Sequence, residues 1–203
     1  MKTIRIGECD VTIMPVVNGI QSEADRVRGE FGGYEAYGAS LGIEGIQAIK
    51  NRVQLEDEFE VSELDLAYAH RMEGLTGLQV EMPSPAICAL VDCCSGCGMN
   101  VIPLDMNDSQ FTDMYCDTVK TLDFVKEHRL AKKGMKKSFS SKTPEEFALE
   151  WDAYVNGVKG YRDVSLNRER HIAGQIREVA KYKKSLLAVI EIERATGIIK
   201  LLE

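Results

Sequence analysis

Seven residues of this 203-residue chain have the types and positions to do chemistry together: Asn18, Glu81, Asp105, Arg168, Arg170, His171 and Glu193. Four of them stand in or just after short apolar runs that read as strands: Asn18 after Val11 to Val17, Glu81 within Leu78 to Met82, Asp105 within Asn100 to Met106, and Glu193 after Ser185 to Ile192. In open α/β sheets the ligand crevice lies beyond the carboxyl ends of the strands, where loops and helix amino termini converge. Several carboxylates sharing such a water-poor crevice raise one another's proton affinity unless a cation sits among them. The spacing therefore predicts either a divalent-metal site held by Glu81, Asp105 and Glu193, or an acid–base site. In the catalytic version Glu81 is base or metal ligand, Asp105 and Glu193 assist, and Arg170 grips an anionic group of the substrate. Asn18, Arg168 and His171 are then substrate-binding, the arginine pair and histidine coming from Arg168-Glu169-Arg170-His171. The plain alternative is that these acids bind helix starts or arginines such as Arg168.

These residues need a sheet and helices to position them. Thr3 to Ile6 and Val11 to Val17 read as strands, the second ending at the Asn18-Gly19 turn signal. Helical spacing follows from Ser22, and six glycines between Gly29 and Gly45 predict a broken or glycine-faced helix. Ser62 caps a helix to Met72, Ser84-Pro85 starts another, and Asp108 or Ser109 caps a long helical region to Gly134. Thr143-Pro144-Glu145-Glu146 opens a helix through Trp151, Arg168 to Tyr182 forms the next, and Ala195 to Leu202 closes the chain. The alternation predicts an α/β fold, helix-rich, with a short mainly parallel sheet flanked by helices. It is expected to form a single domain over 1–203, with a soft joint near 54–62.

Three other motifs carry less. Cys93-Cys94-Ser95-Gly96-Cys97 has C-x-x-C spacing, but it falls at a helix carboxyl terminus, where the dipole disfavours a thiolate. Gly33 to Ser40 mimics a phosphate loop with alanine in the lysine position, so it reads as helix packing or a lid. Lys126, Arg129, Lys132, Lys133, Lys136 and Lys137 read as a solvated helix end, with phosphate or an acidic partner as the sharper reading.

Composition narrows the class. Lys plus Arg is 25 against 32 for Asp plus Glu, a net charge of −7 that argues against a nucleic-acid partner. No apolar run reaches the roughly 20 residues of a membrane span, and the amino terminus alternates polar and apolar residues unlike a secretory leader. Clustered cysteines without a disulfide framework predict a reducing, cytoplasmic setting. A small molecule or peptide is the expected ligand, and Phe147, Trp151 and Tyr154 offer a face for homo-oligomer formation.

Three segments resemble the TraB-like superfamily, which groups pheromone-shutdown proteins, Tiki-type proteases and haem-uptake-like proteins. They are Val80-Glu81-Met82-Pro83 with Asn100 to Asp105, Arg168 to Ala173, and Ser185 to Ile190 followed by Thr196-Gly197-Ile198. The resemblance implies the fold and the crevice position, with Glu81 and Arg168 or Arg170 as carry-over residues. The chain departs from that family's metal hydrolases at both histidine motifs, having Gly19-Ile20-Gln21-Ser22 and Glu191-Ile192-Glu193-Arg194 there. The functional expectation is hydrolase-like, metal-assisted chemistry, the alternative a non-catalytic module that binds a metabolite or protein in the same crevice.

Overall fold

The computed structural model describes residues 1–52 and 62–203. The expected soft joint near 54–62 falls almost wholly outside the described residues.

The sheet forms because the most apolar, β-branched runs pair with one another. Strand β1 (Lys2–Ile6) turns back through Gly7, whose φ of 58° suits glycine, and pairs antiparallel with β2 (Cys9–Val16). β5 (Ser185–Glu191) inserts between β2 and β3 (Ala36–Ala39), parallel to both, and β4 (Ile102–Pro103) adds parallel to β3. The order is β1-β2-β5-β3-β4, so four of five strands share one direction. This is the α/β fold with a mainly parallel sheet that the alternation predicts.

β5 is apolar on both faces because helices cover both. Leu187 and Val189 pack with Met14, Tyr37 and Ala39 beneath α1 (Ser22–Glu30), α2 (Ile43–Lys50) and α4 (Pro85–Gly96). Leu186, Ala188 and Ile190 pack on the other face against Ile172 and Ile176 of α8 (Lys159–Ala180) and Ile198 of α9 (Ile192–Leu202). A third cluster holds Val17, Ile20, Met72, Phe147 and Trp151. It joins the strand ends to α3 (Glu63–Thr76), α6 (Thr121–Gly134) and α7 (Pro144–Val155), and this helical cap makes the far wall of a crevice.

Several expectations change. The glycine-rich stretch does break the helical pattern, between α1 and α2, but Gly33 to Ser40 is neither helix packing nor a lid: its Ala36 to Ala39 portion is a buried interior strand, where small residues let flanking side chains close in. Leu78 to Met82 is loop, joined to the core through the Glu81 N–H, which donates to the Gly19 carbonyl at 3.0 Å. The long helical region is two helices, α5 (Asp108–Thr118) and α6, and α5 is capped by Asn107 in a reciprocal capping box with Gln110. The helix predicted from Arg168 starts nine residues earlier, at Lys159. Phe147 and Trp151 are spent on the chain's own third cluster, 2% and 7% exposed, so they leave little of the expected oligomer face. Among the described residues, no helix is long and apolar enough to cross a membrane.

Gly42, between β3 and α2, touches the loop after β4: a Cβ there would lie 2.3 Å from the Met106 carbonyl oxygen and 3.3 Å from the Asn107 Cα. Backbone cannot yield as a flexible side chain can, so Gly42→Ala should lower stability by about 1–3 kcal/mol, read as a reduced urea midpoint with unchanged slope. An unaltered midpoint would show that this contact is loose.

Candidate functional site

The carboxyl ends of the parallel strands deliver Asn18, Ser40, Asp105 and Glu191 to one edge of the sheet, as the topology requires. There a cavity of about 570 Å³ opens between the strand ends and the helical cap. Leu41, Ile49, Tyr68, Val80, Ile87 and Trp151 supply much of its apolar wall. Its polar groups include Asn18, Glu81, Ser84, Arg168, Glu191 and Glu193. A mostly apolar pocket with a few convergent polar atoms is the usual form of a small-molecule site.

Arg168 organises the floor. Its Nε donates to Asp105 Oδ2 at 2.7 Å, and its Nη2 reaches the same oxygen at 2.6 Å and Glu191 Oε2 at 3.2 Å. Asp105 Oδ1 accepts the Met106 N–H at 2.8 Å, so this carboxylate is satisfied on both oxygens. Burial works against the Arg168 charge, but Glu191 and Asp105 more than offset it and raise its proton affinity. Glu191 is pushed above the ordinary carboxylate range by burial, while Arg168 and the Asn18 amide pull the other way. The Glu191 N–H donates to the Ser40 hydroxyl at 3.3 Å, tying the ends of β5 and β3 together.

A second arginine repeats the device. Arg194 in α9 is 5% exposed and bonds Asp152 of α7 and, at 3.4 Å, Glu169 Oε1 of α8. Burial draws its proton affinity down to about 10, leaving it cationic at neutral pH. The two arginines thus account for Asp105, Glu191, Asp152 and Glu169.

Glu193 is the acid left over. It stands in the first turn of α9, lines the crevice, and its Oε2 is buried without a hydrogen-bond partner among the described residues. Burial, reinforced by the charge of Glu191, pushes this carboxyl up to about 7, which outweighs the help of its own backbone N–H and of Arg168. Tyr68 stays a neutral phenol, because burial and the Glu193 charge both oppose its ionisation. The Asn18 carbonyl Oδ1 is likewise buried without a partner among the described residues.

No family model matches the chain, and neither a curated protein nor a solved structure does.

Of the candidate residues, Asn18, Arg168 and Glu193 come together in the crevice, and Glu81 stands exposed in its lining. Asp105 does not line it: Arg168 holds this side chain from the crevice side of the pairing, so it positions the arginine. Arg170 is misplaced by the sequence reading. Two residues along a helix turn a side chain by about 200°, so with Arg168 facing the crevice Arg170 faces out, donating to Asn167 Oδ1 at 3.2 Å. It lines a separate surface depression with Asp117, Asp123 and Asp163. His171 is half-buried on α8 and does not line the crevice.

Among the described residues, no group of three His, Cys, Asp or Glu side chains is arranged to hold a metal ion. Glu81, Asp105 and Glu193 therefore do not form the expected three-carboxylate set, since Arg168 already occupies the position a cation would take beside Asp105. The C-x-x-C cysteines are free, and burial pushes the Cys94 thiol up to about 11, away from thiolate chemistry.

Sequence reading missed Arg194, Glu169, Asp152 and Tyr68. One signal for the first was available: Glu191-Ile192-Glu193-Arg194 follows the most apolar strand, and charges abutting a buried strand must be paired or perturbed.

Proposed function

We propose that the crevice is a small-molecule site worked by one acid–base carboxyl, Glu193, in hydrolase-like chemistry. The observation that carries this reading is the Glu193 side chain, buried at the crevice with Oε2 unpartnered among the described residues. A group that exchanges its proton near neutral pH serves equally as acceptor and donor. As carboxylate, Glu193 takes a proton from water while the water oxygen adds to a substrate carbonyl carbon; as carboxylic acid, it returns that proton to the departing oxygen or nitrogen. Glu191, Arg168 and Tyr68 interact with it electrostatically, Asp152 and Glu81 line the same crevice, and Glu191 is the neighbour that most raises its proton affinity. The crevice is also the one to which the resemblance to TraB-like proteins points, without that family's histidines.

The test uses p-nitrophenyl acetate and alanine p-nitroanilide as substrates across pH 5–9. Turnover should follow a titration with its midpoint near the Glu193 value of about 7. Glu193→Gln should cut it about 100-fold or more. Turnover no faster than buffer, or a glutamine variant as fast as the parent, overturns catalysis. The saturated Asp105–Arg168–Glu191 floor supports a second reading, a non-catalytic binding module in the same crevice, and that outcome selects it.

A further inference from the structure

We propose that the ligand of this crevice enters with a compact ammonium end, seated between the Asn18 carbonyl and the Glu193 carboxylate. The inference rests on the reading of the crevice as a small-molecule site and not on catalysis there.

Three crevice-lining residues carry a buried atom with no partner among the described residues, Asn18 Oδ1, Ser84 Oγ and Glu193 Oε2; the first and last are acceptors, and the hydroxyl can both donate and accept. A buried acceptor left unmet is costly, and a ligand that brings N–H or O–H donors relieves it. The Asn18 amide already favours the ionised Glu191 carboxyl, and turning it would forfeit that help.

Charge then selects among donors. The crevice lining holds five acids, Asp65, Glu81, Asp152, Glu191 and Glu193, against the single cation Arg168. That cation is committed to Asp105 and Glu191, and Asp152 is committed to Arg194. Asp65, Glu81 and Glu193 remain as acids of the lining without an ion pair among the described residues. An anion would meet repulsion and find no uncommitted cation, and a neutral alcohol would leave the charge unbalanced. An ammonium supplies three donors and a full positive charge to the ionised form of Glu193.

Shape completes the match. Tyr68 and Trp151, edge to face with ring centroids 6.1 Å apart, line the same cavity. Aromatic walls favour a cation with an apolar body, and a volume of about 570 Å³ accepts a compact amine with an attached ring.

Trp151 is the chain's only tryptophan, so its fluorescence reports on the crevice directly. The probes are 2-phenylethylamine, 2-phenylethanol and 3-phenylpropanoate, which share a ring and differ in charge, titrated at pH 8. The amine should bind about tenfold more tightly than the alcohol, a charge-assisted hydrogen bond being the stronger kind. The carboxylate should be weakest, and added salt should weaken only the amine. Glu193→Gln should erase the preference for the amine while the alcohol still binds, and Asn18→Leu should reduce it. Unchanged near-ultraviolet circular dichroism from Trp151 shows that each variant keeps its fold. Equal affinity for amine and alcohol, or tightest binding of the carboxylate, overturns the ammonium assignment and leaves the small-molecule reading standing. Absence of quenching by all three compounds overturns both.

Discussion

Arg168→Met should destabilise the protein by about 3–5 kcal/mol, the cost of removing one partner from a buried ion pair. Arg168 is the common partner of Asp105 and Glu191, whose side chains are only 6% and 13% exposed. Without the guanidinium, two carboxylates face each other across the ends of β4 and β5, and Glu191 is already held above its ordinary range by burial. At least one must then take up a proton to remain inside, so the variant's deficit should shrink as pH falls toward 5. Arg168→Lys should recover part of the loss, because one ammonium cannot reproduce the bonds of Nε and Nη2 together. Adding Asp105→Asn and Glu191→Gln to Arg168→Met should restore most of the stability, since the cost comes from stranded charge and not from the volume of the side chain. Urea denaturation of the four proteins gives the comparison. A loss below about 1 kcal/mol, in the range of solvent-exposed pairs, would mean that the three groups do not form a dry network.

Stability should also fall as pH rises from about 5 to 8, the reverse of the usual behaviour of a paired carboxylate. Glu193 has an ordinary value of 4.5 and is raised to about 7 in the fold. Between those values the native state holds a proton that the unfolded state has released, and stability therefore declines with pH until the native group also ionises. The contribution is on the order of 3 kcal/mol at pH 8 relative to pH 4.5. Burial raises Glu191, Glu23 and Glu169 in the same direction, so they add to the slope. Glu193→Gln removes its own share and should make the profile shallower while raising stability at pH 8. A profile that climbs with pH and is unchanged by the glutamine would show that Glu193 is paired in solution.

The parts of this arrangement differ in how openly the sequence displays them. Ser185 to Glu191 is a continuous apolar run covered on both faces, so it is visible as an interior strand from composition alone. Thr143 before Pro144 shows the start of α7 equally well, with the hydroxyl accepting the Glu146 N–H. Ala36 to Ala39 hides because alanine and glycine have little strand preference of their own. It becomes a strand through its neighbours: at Gly38 an added Cβ would stand 2.7 Å from Leu104 Cδ1, so the small residue is a packing requirement. Glu81 misleads in the other direction, since the apolar residues around it line a loop and the helical cap instead of pairing in a sheet.

Within the site, the strand-end rule finds Asn18, Asp105 and Glu193 but cannot say which are neutralised. That depends on helix phase. Arg168 and Arg170 look alike in sequence, and only the face that Ile172 and Ile176 bury decides which of the two turns inward. Arg194 is harder still, because its partners Asp152 and Glu169 come from α7 and α8, more than twenty residues away in each case. Glu193 stands out only after both arginines have been assigned to other acids.

The most direct measurement is a carbon-13 titration of the glutamate side-chain carboxyls from pH 3 to 9, repeated on Glu193→Gln. One resonance should move with a midpoint near the value of about 7 that burial and Glu191 impose on Glu193, and it should vanish in the variant. If every carboxyl instead titrates below 5, or the neutral-range resonance survives the substitution, the crevice has no proton-exchanging group at Glu193.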